Sequence, residues 1–428
     1  VPVLLSQILQ QLYNVADTSI IGHYTGSAGL AASGSAGLLL SVMVNFFVGL
    51  SAGVSVVISQ LYGAGRYEQL RRGIHTAVTA AAVLGAVFQL AGLLGTDYVL
   101  LWLGTPADAA ELGRIYLRIC FWGMIPQLVY NVGTAVLNAI GDTRTPLYFL
   151  TASAVLHIAL DYLFVAVWGL DIGGAAAATL IAQVLSMVLI LRKLMTLEPR
   201  FRFRFRQMGM DRRHLGQLAS AGIPGGLQAL FMSFSSLVIQ TSINSFGTEA
   251  VAGMTVFSRV EGFLYLPLFS LGIAVTSFIG QNAGAGRYDR IRQGTRISMA
   301  VSLILWALFC GALMAAAPVL VRLFTTDQAV MDYGIQAIWY VFPSYAFYGV
   351  NQIYIGVLRG MGKTVRTMAV TICCYAVFRV AWCRLILPLW NDMRVIYLSY
   401  SVSIVLMTLL LYLCSRRLFA SFPDSVKM

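Results

Sequence analysis

A glycine-rich, basic turn occurs twice in the sequence and indicates that the chain is two copies of one unit. The turn reads Gly-Ala-Gly-Arg-Tyr at Gly63–Tyr67 and again at Gly284–Tyr288. A second pair, Leu137 and Leu358, has the same offset of about 221 residues, so we infer duplication of a whole multi-helix module. A glycine-rich turn before a helix can also bind phosphate, but the sequence contains no GxxxxGK[ST] pattern.

The composition predicts a membrane protein with many spans. Hydrophobic residues make up 58% of the chain, charged residues only 11%, and the mean hydropathy is +0.78. The basic residues that give the net charge of +12 lie in short loops between apolar runs. Membrane topology explains this placement better than nucleic-acid binding does. The six cysteines form no CxxC motif and are interpreted as packing residues, so we expect no disulfide or metal centre built from them.

The apolar runs predict an all-α integral membrane protein with twelve transmembrane helices, arranged as two parallel six-helix repeats. The predicted domains are an N-terminal lobe (1–199), a basic cytoplasmic linker (200–213) and a C-terminal lobe (214–428). About ten residues of helix precede Pro224 but not its counterpart Pro2, so we expect the first helix to be clipped at its N-terminus. In the linker, Arg and Phe alternate from Arg200 to Arg206, which suits either an anionic leaflet surface or a solvated loop.

The distribution of positive charge predicts the orientation. With the repeated turns on the cytoplasmic side, about 22 of the 29 Lys and Arg residues face the cytoplasm. Both termini are then cytoplasmic, and we expect a monomer in the plasma (inner) membrane.

Three acids, Asp17, Asp161 and Glu261, lie within predicted spans, where charge is costly and therefore suggests function. At ~1.5 Å per residue, Asp17, Asp161 and Thr179 lie at a similar depth, roughly 8 to 12 Å from the outer helix ends. Glu261 is interpreted either as a substrate-cavity residue or as half of an ion pair with Arg259 or Arg379.

Further polar residues share helix faces with this first-lobe set. His157 precedes Asp161 by four residues and Asn14 precedes Asp17 by three, so both are candidates for ion coupling. Gln183 follows Thr179 by four and is a candidate for the substrate cavity. Two nearby carboxylates at low dielectric cannot both stay charged cheaply, so we predict a proton or cation site. Interhelical hydrogen bonds, worth about 0.6 to 2 kcal/mol each, remain the alternative for Thr179 and Gln183.

Aromatic residues are dense in the predicted tenth helix. Tyr345 and Tyr348 are candidates for a substrate cavity that holds lipophilic cations by cation-π contacts, although packing explains most aromatics there equally well.

Taken together, these motifs resemble the multidrug and toxic compound extrusion family of antiporters over nearly the whole chain. The motifs are Asp17-Thr18 with Gly22, both Gly-Ala-Gly-Arg turns with their Gln, Leu137 to Thr143, Leu160-Asp161, Gly174 to Ala176 and Ala178-Thr179. The resemblance implies alternating access and efflux of organic, cationic and amphipathic compounds in exchange for H+ or Na+. It also implies that Asp17, Asp161 and Thr179 match an ion site in the first lobe, and that these three would hold Na+ if Na+ is the coupling ion.

Two departures from the family pattern bear on the coupling ion. His157 stands where that ion site commonly has Asn, which favours H+ over Na+. The seventh predicted helix carries Gln228 and no acid, so a second-lobe carboxylate site is incomplete.

The alternative function is a lipid or lipid-linked oligosaccharide flippase of the same superfamily, favoured by Arg379 and Arg384 in the eleventh predicted helix. An enzyme is not expected, because the four His and six Cys form no catalytic or metal motif. We expect no cofactor beyond the coupling ion.

Overall fold

The computed structural model of the protein describes residues 2–102 and 107–422. Within those ranges every regular element is a helix. The chain divides into two compact units, Val1–Gly222 and Ile223–Met428, and the division falls inside a helix two residues before Pro224. The domain boundaries expected at 199 and 214 remain predictions.

The first unit contains six successive helical segments among its described residues. They are α1 (Pro2–Tyr24), α2 (Gly26–Gly63), α3 (Tyr67–Trp102), the pair α4 (Ala107–Trp122) and α5 (Met124–Ile140), α6 (Arg144–Asp161) with the π-helix Tyr162–Val167, and α7 (Asp171–Met195). The pair α4–α5 bends by 44° at the break formed by Gly123.

The second unit also contains six helical segments within the residues that are described, because α10–α11, α12–α13 and α14–α15 each form one segment. Its helices are α8 (Arg212–Asn244), α9 (Thr248–Gly284), α10 (Tyr288–Ala315) with the short α11 (Ala317–Arg322), α12 (Gln328–Val341), α13 (Tyr345–Gly360), α14 (Thr364–Thr371), α15 (Arg379–Leu385) and α16 (Met393–Ala420). The 3-10 turn Phe342–Ser344 joins α12 to α13, and the π-helix Ile372–Phe378 joins α14 to α15.

Length and apolar composition qualify many of these segments as membrane spans. In the described chain nine single helices are long and apolar enough to cross a membrane. The bent pair α4–α5, counted as one span, is the tenth. Each unit has its own apolar core: Phe47, Phe121 and Leu128 are fully buried in the first, and Phe257 and Phe342 in the second. Lipid-facing apolar side chains surround both cores.

The repeated turns have the same backbone hydrogen bonds. The N–H of Arg66 donates to the Leu61 carbonyl at 3.1 Å, and that of Arg287 donates to Asn282 at 2.9 Å. Gly65 and Gly286 have φ of +66° and +69°, a left-handed conformation that glycine adopts at little cost. A second pair of glycines, Gly141 and Gly362, also has positive φ, at the end of α5 and α13. The duplication therefore extends to the turn geometry.

The linker packs against the first unit, which neither the leaflet nor the solvated-loop interpretation anticipated. Phe201 and Phe203 are only 3% and 1% exposed. The N–H of Arg204 donates to Nε2 of His75 on α3 at 3.0 Å. The reason is that Phe201 and Phe203 stand two residues apart, so that both rings can enter an apolar groove of the protein, while Arg200, Arg204 and Arg206 are exposed and Arg202 is half-buried.

The end of the linker forms the start of α8. The Oδ1 atom of Asp211 accepts the backbone N–H of His214 at 3.0 Å. The pKa of the Asp211 carboxyl lies below its usual range, mainly because of this backbone hydrogen bond. A second hydrogen bond, between the carboxylate and the His214 ring, has the next largest effect.

We predict that Gly65→Val and Gly286→Val each destabilise the protein by about 1 to 2 kcal/mol, the cost of a left-handed conformation with a Cβ. No heavy atom lies within 4 Å of either Cβ position, so backbone strain alone acts. Gly209→Val, at an equally open loop position outside the positive-φ region, is the matched control. The measurement is the thermal unfolding midpoint of the purified protein. A lower midpoint for one of the two glycine variants, with an unchanged midpoint for the other, would refute the structural equivalence of the turns.

Candidate functional site

Three helices of the first unit bring the predicted polar residues together. Helix α6 packs against both α1 and α7. Asp17 comes from α1, Thr179 from α7, and Asp161 is the last residue of α6, where the π-helix Tyr162–Val167 begins. Such π-segments are frequent at functional sites, and this one changes the helix register immediately after the carboxylate.

The side chains of Asp17, His157 and Asp161 form a tight cluster. One carboxylate oxygen of each aspartate and one ring nitrogen of the histidine all lie within 4.8 Å of one another. Nε2 of His157 is 3.8 Å from Oδ1 of Asp17 and 3.0 Å from Oγ1 of Thr179. The Thr179 hydroxyl also lies 3.1 Å from the Ala175 carbonyl, one turn back on α7.

The cluster is buried and short of hydrogen bonds. His157 and Asp161 are 0% exposed, and the Asp17 side chain is 21% exposed. Among the described residues no partner reaches either carboxylate oxygen of Asp161, Oδ1 of Asp17 or Nδ1 of His157. Buried polar atoms are normally satisfied, so these atoms indicate a place for a proton or a cation.

Tyr13 completes the wall of the cluster. Its ring packs edge-on against His157, with ring centroids 4.5 Å apart. Sequence reasoning missed Tyr13, although it precedes Asp17 by four residues and so shares its helix face.

Two of the predicted companions lie away from the cluster. The Asn14 side chain is exposed, and the Asn14 carbonyl accepts the Thr18 hydroxyl. Gln183 faces the bend between α4 and α5: a Cβ on Gly123 would stand 2.0 Å from Oε1 of Gln183. That close approach explains why glycine occupies the bend.

In the second unit, Glu261 binds a tyrosine. The hydroxyl of Tyr345 donates to Oε1 of Glu261, and the Tyr345 ring packs at 5.0 Å from Tyr348. Both tyrosines are buried, at 4% and 6% exposure. No arginine lies within 4.0 Å of Glu261 in the described chain, so the ion pair with Arg259 or Arg379 is not formed.

Two arginines inside this unit, the buried Arg379 and the half-buried Arg359, have neutral partners. Arg379 stacks between Tyr375 and Tyr400, with its guanidinium carbon 4.4 and 4.3 Å from the ring centroids, and its Nε donates to Ser403 at 2.7 Å. Arg359 donates to Oε1 of Gln228 at 2.8 Å. Stacking on an electron-rich ring stabilises a cation that has no carboxylate beside it.

The sequence profile of the MatE family matches the chain twice, over residues 2–163 and 224–385. The chain belongs to the MatE family of membrane transporters. The matches cover equivalent stretches of the two repeats, which confirms both the family resemblance and the duplication inferred from the turns.

Relatives of this MatE chain include the probable multidrug resistance proteins YoeA and YpnP of Bacillus subtilis. They are 28% and 26% identical over 379 and 383 residues, covering 87% and 88% of this chain and 82% and 84% of the relatives. A multidrug resistance MATE family transporter, solved in an outward-facing conformation, superposes with a TM-score of 0.91 at 21% identity over 99% of this chain and 95% of that one. The fold is thus the twelve-helix, two-repeat fold of these transporters.

Proposed function

We propose that the protein is a secondary-active antiporter that exports organic, cationic and amphipathic compounds in exchange for H+. The observation that carries the proposal is the buried Asp17-His157-Asp161 cluster with its unpartnered oxygens. The family assignment and the multidrug resistance names of YoeA and YpnP support export of organic compounds.

Electrostatic repulsion supplies the coupling chemistry. Two carboxylates in a water-poor site repel each other strongly, and a bound proton removes that repulsion. Na+ is the second candidate ion and would be held by Asp17, Asp161 and Thr179. The imidazole of His157 favours H+, because hard cations prefer oxygen ligands and this ring supplies nitrogen.

Binding of the coupling ion changes the charge that α1, α6 and α7 share. A proton neutralises one carboxylate, so the three helices repack and the hold on a cationic substrate weakens. The two differently charged forms then provide the two states that alternating access needs. Entry of one proton releases about 2.3 kcal/mol per 100 mV, enough for a roughly fiftyfold gradient of a neutral substrate.

The tyrosine group of the second unit is our candidate for substrate contact. Tyr345 and Tyr348 are buried beside Glu261 here, and in a conformation that opens this group their rings and the carboxylate would face the substrate. Aromatic faces with an acid suit a flat lipophilic cation.

One observation favours a lipid or lipid-linked oligosaccharide flippase as a second candidate. Arg359, which is half-buried, and Arg379, which is buried, have no carboxylate within 4.0 Å among the described residues, so both cations lack an acidic partner there. Efflux of cationic dyes from cells, compared with scrambling of labelled lipid in vesicles, separates the two functions.

We place the protein in the plasma membrane with both termini in the cytoplasm. A cysteine at Thr248, exposed at the start of α9, should react with an impermeant thiol reagent added to whole cells, whereas one at Arg66 should react only after the membrane is opened. Both reporter cysteines are introduced into a variant in which the accessible native cysteines, Cys373 and Cys414, are replaced by Ser. The opposite labelling pattern would reverse the orientation.

We predict that Asp17→Asn and Asp161→Asn each abolish concentrative efflux, because either change removes the charge that the coupling ion binds. The matched control is Asp332→Asn, the same substitution at an exposed acid on α12. The measurement is initial dye efflux at several external pH values, with surface expression determined in parallel. Normal pumping by Asp17→Asn with an unchanged pH profile would show that coupling lies elsewhere.

We predict that His157→Asn shifts the ion preference toward Na+, because an amide oxygen replaces the ring nitrogen beside Asp17. Efflux by wild-type and variant protein should be driven in vesicles by a proton gradient or by a sodium gradient, one at a time. The wild-type protein should respond to the proton gradient and the variant should gain a response to sodium. An unaltered preference would mean that the ring does not select the ion.

A further inference from the structure

We propose that the Asp17-His157-Asp161 cluster also binds a divalent first-row transition metal ion of the Zn2+ class. This inference deepens the proposed function, on which its consequence for transport rests. The donor set carries it: two carboxylates and one imidazole, on two helices, with donor atoms mutually within 4.8 Å. Three such ligands with an open fourth position are the usual set for an accessible zinc ion.

The geometry is close to what a small ion needs. Ligands 2.0 to 2.2 Å from a tetrahedral Zn2+ stand about 3.3 to 3.6 Å from one another. Nε2 of His157 is 3.8 Å from Oδ1 of Asp17, and Oγ1 of Thr179 is 3.0 Å from the same nitrogen. Small side-chain rotations would bring the three ligands onto one ion, and Thr179 borders the fourth position.

Burial and missing partners distinguish this cluster from a surface group of acids. His157 and Asp161 are fully buried, and both carboxylate oxygens of Asp161 lack a hydrogen-bond partner within the described ranges. A divalent ion would neutralise both aspartates at once, whereas a monovalent ion leaves one negative charge in the apolar interior.

The imidazole decides which class of metal fits. Carboxylate and water ligands suit Mg2+ and Ca2+, whereas imidazole suits Zn2+, Co2+ and Ni2+. The site therefore discriminates against Mg2+, the commonest divalent ion in cells. Tyr13, packed on the His157 ring, restricts its rotation and helps hold the nitrogen near Asp17.

A metal ion bound there would occupy the proposed proton site and join α1 to α6. Because it prevents the change of charge that repacking requires, we expect Zn2+ to arrest transport reversibly.

Metal binding is tested on the purified, untagged protein with its thiols alkylated, without any transport. ZnCl2 should raise the thermal unfolding midpoint in a saturable way and CoCl2 should give the visible absorption of a tetrahedral site, while MgCl2 and NaCl should do neither. His157→Asn should weaken the apparent Zn2+ affinity by at least about tenfold to a hundredfold, the loss that removal of even an outer-shell partner causes. His23→Asn, the same change at an exposed histidine on α1, should bind as wild type does.

An equal response to Zn2+ in the wild type and in His157→Asn, or an equal response to Mg2+, would overturn the proposal. If His157→Asn does not fold, His157→Gln, which keeps an amide donor toward Thr179, takes its place. Different results would refute the metal site and the antiport site. Zinc binding with normal pumping by Asp17→Asn refutes the antiport site, whereas loss of efflux in Asp17→Asn without zinc binding refutes the metal site.

Discussion

Electrostatic repulsion between the buried carboxylate of Asp161 and the partly exposed carboxylate of Asp17 is the main physical constraint on the candidate site. Asp161 is fully buried, and none of the described residues supplies a partner to its carboxylate oxygens. A soluble enzyme could admit water to such a group, but a helix bundle in lipid must satisfy it from within or with a bound cation. A proton or a bound cation would neutralise the charge of this carboxylate, and that is what makes the cluster a candidate ion site.

The duplicated frame explains how such a costly site is tolerated. Glycines at positive φ form the turns after α2 and α5 in the first unit and the turns after α9 and α13 in the second, with matching hydrogen bonds. These turns and the apolar cores position the helices, and the polar cluster adds contacts such as the one at 3.0 Å between Nε2 of His157 on α6 and Oγ1 of Thr179 on α7. The frame therefore offsets the cost of the buried polar atoms that lack partners.

The sequence alone predicted the frame and the core of the candidate site for physical reasons. Apolar runs of span length must become helices in lipid, and residues four apart share a face, which brings His157 and Asp161 together. The bend at Gly123, the π-helix after Asp161 and the docking of Phe203 on the first unit could not be predicted in this way. Each depends on contacts between distant segments, such as Gln183 against Gly123, that no local pattern records.

The two units use the same frame with different polar contents. In the first unit the acids lack partners, so their charge is available to a mobile ion. In the second unit Glu261 accepts a bond from Tyr345, and Arg379 is stacked between two tyrosines, so each charge already has a protein partner. A group that is already satisfied gains less from binding a small ion, whereas aromatic faces around it suit a large organic one. This contrast supports the proposals made above, an ion site in the first repeat and a substrate contact in the second.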